Sequence, residues 1–181
     1  MLEASPIYFG PEEVGLGQRE PVKDVAKVVS RMAKMAIIRT FEHRTIEDFS
    51  KASTIPIINA LSDHEHPCQA LADIQTIKEH FGQLKKIKLA FIGDGNNVAR
   101  SLAYAVGGCG GNFTCASPDG YELDKQTLSD ATYFAKQNGG SVFQITSPME
   151  AVKEADIVYT DVWASMGQES ESLKRAQAFS D

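Results

Sequence analysis

Along the chain, short apolar bursts alternate with stretches in which apolar residues recur every three or four positions, the pattern of strands alternating with amphipathic helices. Ile7, Tyr8 and Phe9 form the first burst and read as a short strand, cut off by Gly10-Pro11 and followed by a loop with Gly15 and Gly17. Val22, Val25, Val28, Val29 and Met32 then share one helical face, and Pro21 is placed to open that helix. Ala36, Ile37 and Ile38 make a second burst ending at Arg39-Thr40. A second helix is expected from Thr45, which would cap it, with Glu47 and Asp48 in the first turn where the helix dipole favours acids and Ile46 and Phe49 on the buried face. Pro56, Ile57 and Ile58 follow as a strand, so the first part of the chain reads β-α-β-α-β, a parallel α/β layer.

That layer empties into a polar stretch, 59–69, reading Asn-Ala-Leu-Ser-Asp-His-Glu-His-Pro-Cys-Gln. A helix over 69–81 follows, with Leu71, Ile74, Ile77 and Phe81 along one side and Gly82 as its stop. A second cycle then begins. Strands are expected at 89–92, 113–116, 142–145 and 157–160. The intervening helices are carried by Val98, Leu102 and Val106, by Leu128, Ala131, Phe134 and Ala135, and by the capping-box segment from Ser147 to Glu150. The last strand ends in Asp161 and a polar loop to Gly167. No repeat and no Pro-, Gly- or Ser-rich linker interrupts the series. The expectation is an α/β chain of two parallel-sheet layers joined by a helix, dividing as 1–68, a connecting helix at 69–82, and 83–181, with hinge closure about a cleft.

Composition narrows the partners. The chain has 181 residues, 43% of them hydrophobic, enough for a sizeable core. With 24 acids against 18 bases its net charge is -6, which argues against nucleic acid as the main partner. No apolar run approaches the roughly 20 residues that cross a bilayer, and no basic-then-apolar leader opens the chain, so a soluble, cytoplasmic protein is expected. The three cysteines are odd in number and unpaired in spacing, and His64 and His66 stand two apart; neither pattern fits a zinc site.

The candidate chemistry sits at the strand ends. Gly93-Asp94-Gly95 between a strand and a helix partly matches a dinucleotide fingerprint, but Val98 occupies the third glycine position and the next acid, Asp119, comes late, after Pro118. Asn96 and Asn97 at the helix start could grip a carboxylate without adding charge, or simply cap the helix. His66 and Gln69 offer an imidazole and an amide suited to a polarised carbonyl and an NH2 group, where a lone histidine is more often scaffold. Arg39 can hold an anion bidentately or form a surface ion pair. Asp161 with Ser165 can bind an ammonium group or form an Asx-type turn, and Cys68 reads as packing.

The wording of three segments goes further. Ser-Asp-His-Glu-His-Pro-Cys-Gln-Ala-Leu-Ala-Asp at 62–73, Phe-Ile-Gly-Asp-Gly-Asn-Asn at 91–97 and Thr-Asp-Val-Trp-Ala-Ser-Met-Gly-Gln-Glu at 160–169 resemble the ornithine carbamoyltransferase family of the transcarbamylase superfamily, and the resemblance runs over nearly the whole chain. It implies transfer of a carbamoyl group from carbamoyl phosphate to the δ-amine of L-ornithine, giving citrulline and phosphate in arginine biosynthesis or degradation, with no metal or organic cofactor. Arg39, His66 and Gln69 match the residues that hold carbamoyl phosphate and stabilise charge in the transition state. Asn97 matches the residue for the ornithine α-carboxylate, Asp161 that for the α-ammonium, and Ser165 with Met166 the loop that closes over the amino acid. A homo-oligomer, a trimer in the family, is also implied.

Two family segments, Ser-Thr-Arg-Thr-Arg before the matched region and His-Cys-Leu-Pro after it, have no counterpart here. The resemblance therefore implies the middle of the enzyme, each sheet incomplete and the chain weakly active or inactive alone, since single donors of the kind in the phosphate cradle are each worth about 3 kcal/mol. The alternatives from other classes are a non-catalytic module binding carbamoyl phosphate or an amino acid, a transcarbamylase acting on another amine, and a nucleotide-binding oxidoreductase.

Overall fold

The strand with no polar face organises the larger half of the molecule. Leu89, Ala90 and Phe91 are all at most 1% exposed, so β3 (Lys88–Ile92) must be covered on both faces, which is what a central parallel strand requires. A computed structural model describes residues 4–162 and 171–179. In it β3 is flanked by β4 (Asn112–Ala116) and β6 (Ile157–Thr160), with β5 (Ser141–Ile145) outside β4, giving the all-parallel order β5-β4-β3-β6. Phe91 and Phe113 point to one face, where α4 (Pro67–Phe81), α5 (Asn97–Gly108) and α6 (Lys125–Asn138) supply Ala70, Ile77, Leu102, Val106, Ala131 and Ala135 to a single core. The opposite face is thinner. Ala90 and Ala116 meet Ala151 of the short α7 (Pro148–Val152), while Phe143 and Val158 are each 59% exposed.

The smaller sheet holds β1 (Ala36–Arg39) and β2 (Ile57–Leu61), parallel, with α2 (Val22–Met32) and α3 (His43–Ala52) around a core of Ala26, Ile46, Phe49 and Leu61. The strand expected at 7–9 does not form. Ile7, Tyr8 and Phe9 are 78%, 85% and 59% exposed, and no described strand lies beside them to complete a ladder. They lead instead into the one-turn α1 (Pro11–Val14). The first layer is thus two strands, not three, among the described residues.

Other differences follow from packing that a local pattern does not contain. The α2 face expected to include Val28 and Met32 leaves them 55% and 80% exposed and buries Ala26. On α4, Leu71 is 67% exposed while Ala70 and Ile77 face the core, and on α6 Phe134 is 50% exposed while Thr127, Ala131 and Ala135 are buried. Helix α3 starts at His43, before Thr45, because its first-turn N–H at His43 is accepted by the Asp63 carboxylate at 3.0 Å, a cap supplied by a distant loop. Helix α4 starts at Pro67, proline at its first position, so Gln69 lies inside the first turn.

Phe91 is 0% exposed, with its ring 5.7 Å from Tyr159 and 6.4 Å from Phe113. Phe91→Ala is expected to destabilise the chain by about 3–5 kcal/mol, read as a lower urea midpoint in circular dichroism; a loss under about 1 kcal/mol would show that this core is not closed.

Candidate active site

Parallel strands aim their C-terminal ends the same way, and here both sheets aim them at one cavity of about 870 Å³. Arg39 enters from the end of β1, where the β1–β2 register shifts between Ile38 and Arg39. His66 and Gln69 enter from the start of α4, Asn97 from the start of α5, and Asp161 from the end of β6. Five residues singled out from the sequence therefore line one space. Ser165 and Met166 lie outside the described residues.

Arg39 is exposed and has no ion-pair partner among the described residues, so the surface ion pair considered for it does not form there. His66 caps α4 with its backbone and is held there by Ser101, whose hydroxyl accepts the His66 N–H at 2.8 Å. Its Nδ1 is buried without a hydrogen-bond partner among the described residues, so no described protein group fixes the tautomer. Burial, and then the nearby Arg39 charge, lowers its pKa below the ordinary 6.5, against weaker upward pulls from Asp161 and Asp73. The imidazole is neutral at pH 7 and offers one N–H to a ligand.

The loop carrying His66 is fastened to α5 at several points. Asn97 donates to the Ser62 carbonyl at 2.7 Å, the Ser101 hydroxyl donates to Glu65, and Arg100 donates to the His64 carbonyl. Arg100 also reaches Thr127 Oγ1 at 2.8 Å and Asp124 Oδ2 at 2.6 Å. Burial pushes the Asp124 carboxyl up, but hydrogen bonds from the Thr127 hydroxyl and backbone N–H, and then from Arg100, hold it well below the usual range. The sequence reading passed over Arg100. A signal existed: a cation in the first turn of a helix opposes the dipole, so it is placed there for a specific partner.

The two asparagines divide the roles considered for them. Asn96 caps α5, accepting from the N–H groups of Val98 and Ala99 at 3.0 and 3.1 Å, and donates to Asp161 Oδ2 at 3.0 Å. Asn97 spends one amide hydrogen on Ser62, tying the halves together. The Gly-Asp-Gly turn is explained by the chain itself. A Cβ on Gly95 would lie 2.3 Å from the Leu123 nitrogen, so the backbone at 122–123 occupies the close approach that this glycine permits. Asp94 forms a buried pair with Arg175 of α8 (Ser172–Ala178) at 2.5 Å, and that guanidinium lies 5.0 Å from the Tyr121 ring centroid. Burial pushes the Asp94 carboxyl up, against the hydrogen bond and charge of Arg175. Arg175 is not singled out by the sequence, and Asp94 enters there only as the middle of the Gly-Asp-Gly motif.

The chain has known relatives. Residues 85–181 match the family model described as "Aspartate/ornithine carbamoyltransferase, Asp/Orn binding domain", and residues 1–79 match "Aspartate/ornithine carbamoyltransferase, carbamoyl-P binding domain". The chain belongs to the aspartate/ornithine carbamoyltransferase family. It is 47% identical over 178 residues to the ornithine carbamoyltransferase of Bacillus subtilis, covering 98% of this chain and 56% of that protein. It is 44% identical over 173 residues to that of Thermococcus kodakarensis, covering 96% of this chain and 55% of that one. The solved ornithine carbamoyltransferase of Pyrococcus furiosus aligns with a TM-score of 0.91 at 44% identity, covering 96% of this chain and 55% of that chain. This carbamoyltransferase-family chain thus spans a little over half the length of the relatives it matches. Among its described residues no group of three or more His, Cys, Asp or Glu is arranged to hold a metal, and no helix is long and apolar enough to cross a membrane.

The lowered pKa of His66 carries a stability consequence. His64 is shifted the same way, by burial, then Arg100, with Glu65 opposing, His43 adding to the decrease and Asp124 opposing. Below 6.5 the unfolded chain binds protons that the folded chain refuses, so stability should fall as pH drops through 6.5 toward the lowered values, and neither residue should matter above it. His66→Gln should therefore lose less thermal stability than the parent between pH 7.5 and 5.5; identical losses would show that His66 titrates normally.

Proposed function

We propose that the cavity is a carbamoyl-transfer site, taking carbamoyl phosphate and L-ornithine to citrulline and phosphate. The observation that carries this reading is the meeting of Arg39, His66 and Gln69 with Asn97 and Asp161 at one cavity between the two sheets. Membership of the carbamoyltransferase family and the names of the aligned relatives support it.

On this reading carbamoyl phosphate lies on the 1–68 side and ornithine on the 83–181 side, with α4 as the joint between them. The neutral δ-amine attacks the carbamoyl carbon, the carbonyl oxygen takes the developing charge, and the C–O bond to phosphate breaks as the tetrahedral species collapses, the proton lost from the δ-nitrogen passing to the departing phosphate. Arg39 and the His66 N–H donate to that oxygen as charge grows, an effect worth about 3 kcal/mol for a well-placed donor. Gln69 engages the carbamoyl NH2, Asn97 the α-carboxylate and Asp161 the α-ammonium of ornithine. Ser165 and Met166, outside the described residues, are assigned to the ornithine side by resemblance alone. The reading assigns no metal or organic cofactor, and it places the protein in the cytoplasm as a homo-oligomer, a trimer by resemblance, in arginine metabolism.

Calorimetry with a bisubstrate phosphonate–ornithine analogue tests it. The analogue is expected to bind at least about 100-fold more tightly than ornithine alone, and Asp161→Asn to weaken it by about tenfold or more. Equal affinity for analogue and ornithine would leave an amino-acid-binding module and defeat the transfer reading.

A further inference from the structure

Gln69, like Asn97, is a proposed substrate contact whose two ends are chemically opposite, one an NH2 donor and the other a carbonyl acceptor, so its orientation decides what it can recognise. Such orientations are set by the surrounding hydrogen bonds. Gln69 Nε2 donates to Asp73 Oδ1 at 3.0 Å, and the other Asp73 oxygen accepts the Tyr159 hydroxyl at 3.1 Å. An ionised carboxylate can only accept, so it must hold the NH2 end of Gln69.

We infer that Asp73, held by Tyr159, is a positioning residue that turns the Gln69 carbonyl oxygen toward the cavity and so makes this corner of the site select a ligand NH2 group over a group of the same shape without donors. The ligand class in this inference rests on the carbamoyl phosphate reading; the orientation does not.

Two comparisons within the chain show that this pair is more than an ordinary helical neighbour contact. Gln75–Glu79 and Gln126–Asp130 have the same i, i+4 spacing, but both are exposed and neither has a third hydrogen-bonded member among the described residues. Gln69–Asp73 is partly buried, Gln69 lines the cavity, and the third member comes from β6, 86 residues further along the chain. Tyr159 is itself fixed, its ring stacked at 19° on the fully buried Phe91. Burial, and then the Asp73 charge, pushes its phenol up to about 12, so it remains a donor throughout the working pH range. Gln69 Oε1 accepts from no described residue, which leaves it as the end offered to a ligand.

The test compares two phosphonates of equal charge and similar shape, phosphonoacetamide, which carries the NH2, and acetonylphosphonate, which carries a methyl in its place. Calorimetry on the parent chain should find the amide bound about tenfold more tightly, and Asp73→Asn should bring that ratio close to one. Tyr159→Phe, which leaves the Gln69–Asp73 bond in place, should lower the ratio less. A merely structural role for Asp73 would weaken both ligands alike and leave the ratio unchanged, and that result would overturn the inference.

A ligand-free arm reads the orientation directly. In the 15N-labelled parent chain one Gln69 side-chain amide proton should be shifted downfield and slow to exchange. In Asp73→Ala it should revert to the position of an exposed amide. A Gln69 amide that already behaves as exposed in the parent would overturn the inference even if that variant failed to fold. If neither phosphonate binds, the carbamoyl phosphate reading of the cavity fails, and the amide signal alone decides whether Asp73 orients Gln69.

Discussion

The joint between the loop at 62–66 and the first turns of α5 is the contact on which the rest of the site depends. Ser62 is wholly buried, and its hydroxyl oxygen is shared by the Glu65 N–H at 3.1 Å, the Asn59 amide at 3.3 Å and His43 Nδ1 at 2.8 Å. Its carbonyl accepts from Asn97, and the next turns of the same helix hold the His64 carbonyl and the His66 N–H through Arg100 and Ser101. Each bond contributes about 1 kcal/mol net, but breaking one would strand a partly buried partner, which costs more. The loop is therefore a splint between the two sheets, and His66 sits where α5 puts it.

Several of the carboxylates around the cavity are also held by partners within the chain. Of the carboxylates lining the cavity, Asp94 and Glu171 pair with Arg175, Asp161 accepts from the Asn96 amide, Asp63 from the His43 N–H and Glu122 from the Gly120 N–H. Arg39 stands without an ion-pair partner among the described residues. Within a chain of net charge -6, Arg39 at the end of β1 and His66 at the start of α4 bring donors to the cavity.

Much of the fold was legible because it rests on periodicity. The four strands of the larger sheet and the helices between them fall where apolar runs and capping residues place them, since a parallel strand buried on both faces has to be apolar throughout. The helix faces were less legible: Val28, Met32, Leu71 and Phe134 fit a period but face outward, because the side a helix buries depends on which neighbour it meets. The segment at 7–9 shows the same limit for strands, since an apolar burst becomes a strand only if another strand is there to pair with it. Thr45 looked like a local cap, but a local pattern cannot register a cap arriving from Asp63.

By itself, the sequence determined the chemical inventory and its order: the residues Arg39, His66, Gln69, Asn97 and Asp161, each at the end of a strand or the start of a helix, and the family to which their wording belongs. Tertiary structure alone decided how those groups are aimed. Arg100, Ser101, Asp94, Arg175 and the Tyr159–Asp73–Gln69 chain act through partners far away in sequence, and no period or motif encodes which of them will meet. Hydrogen bonds and charges act over a few ångströms, and it is the packing of β3, α4 and α5 into one core that sets those distances.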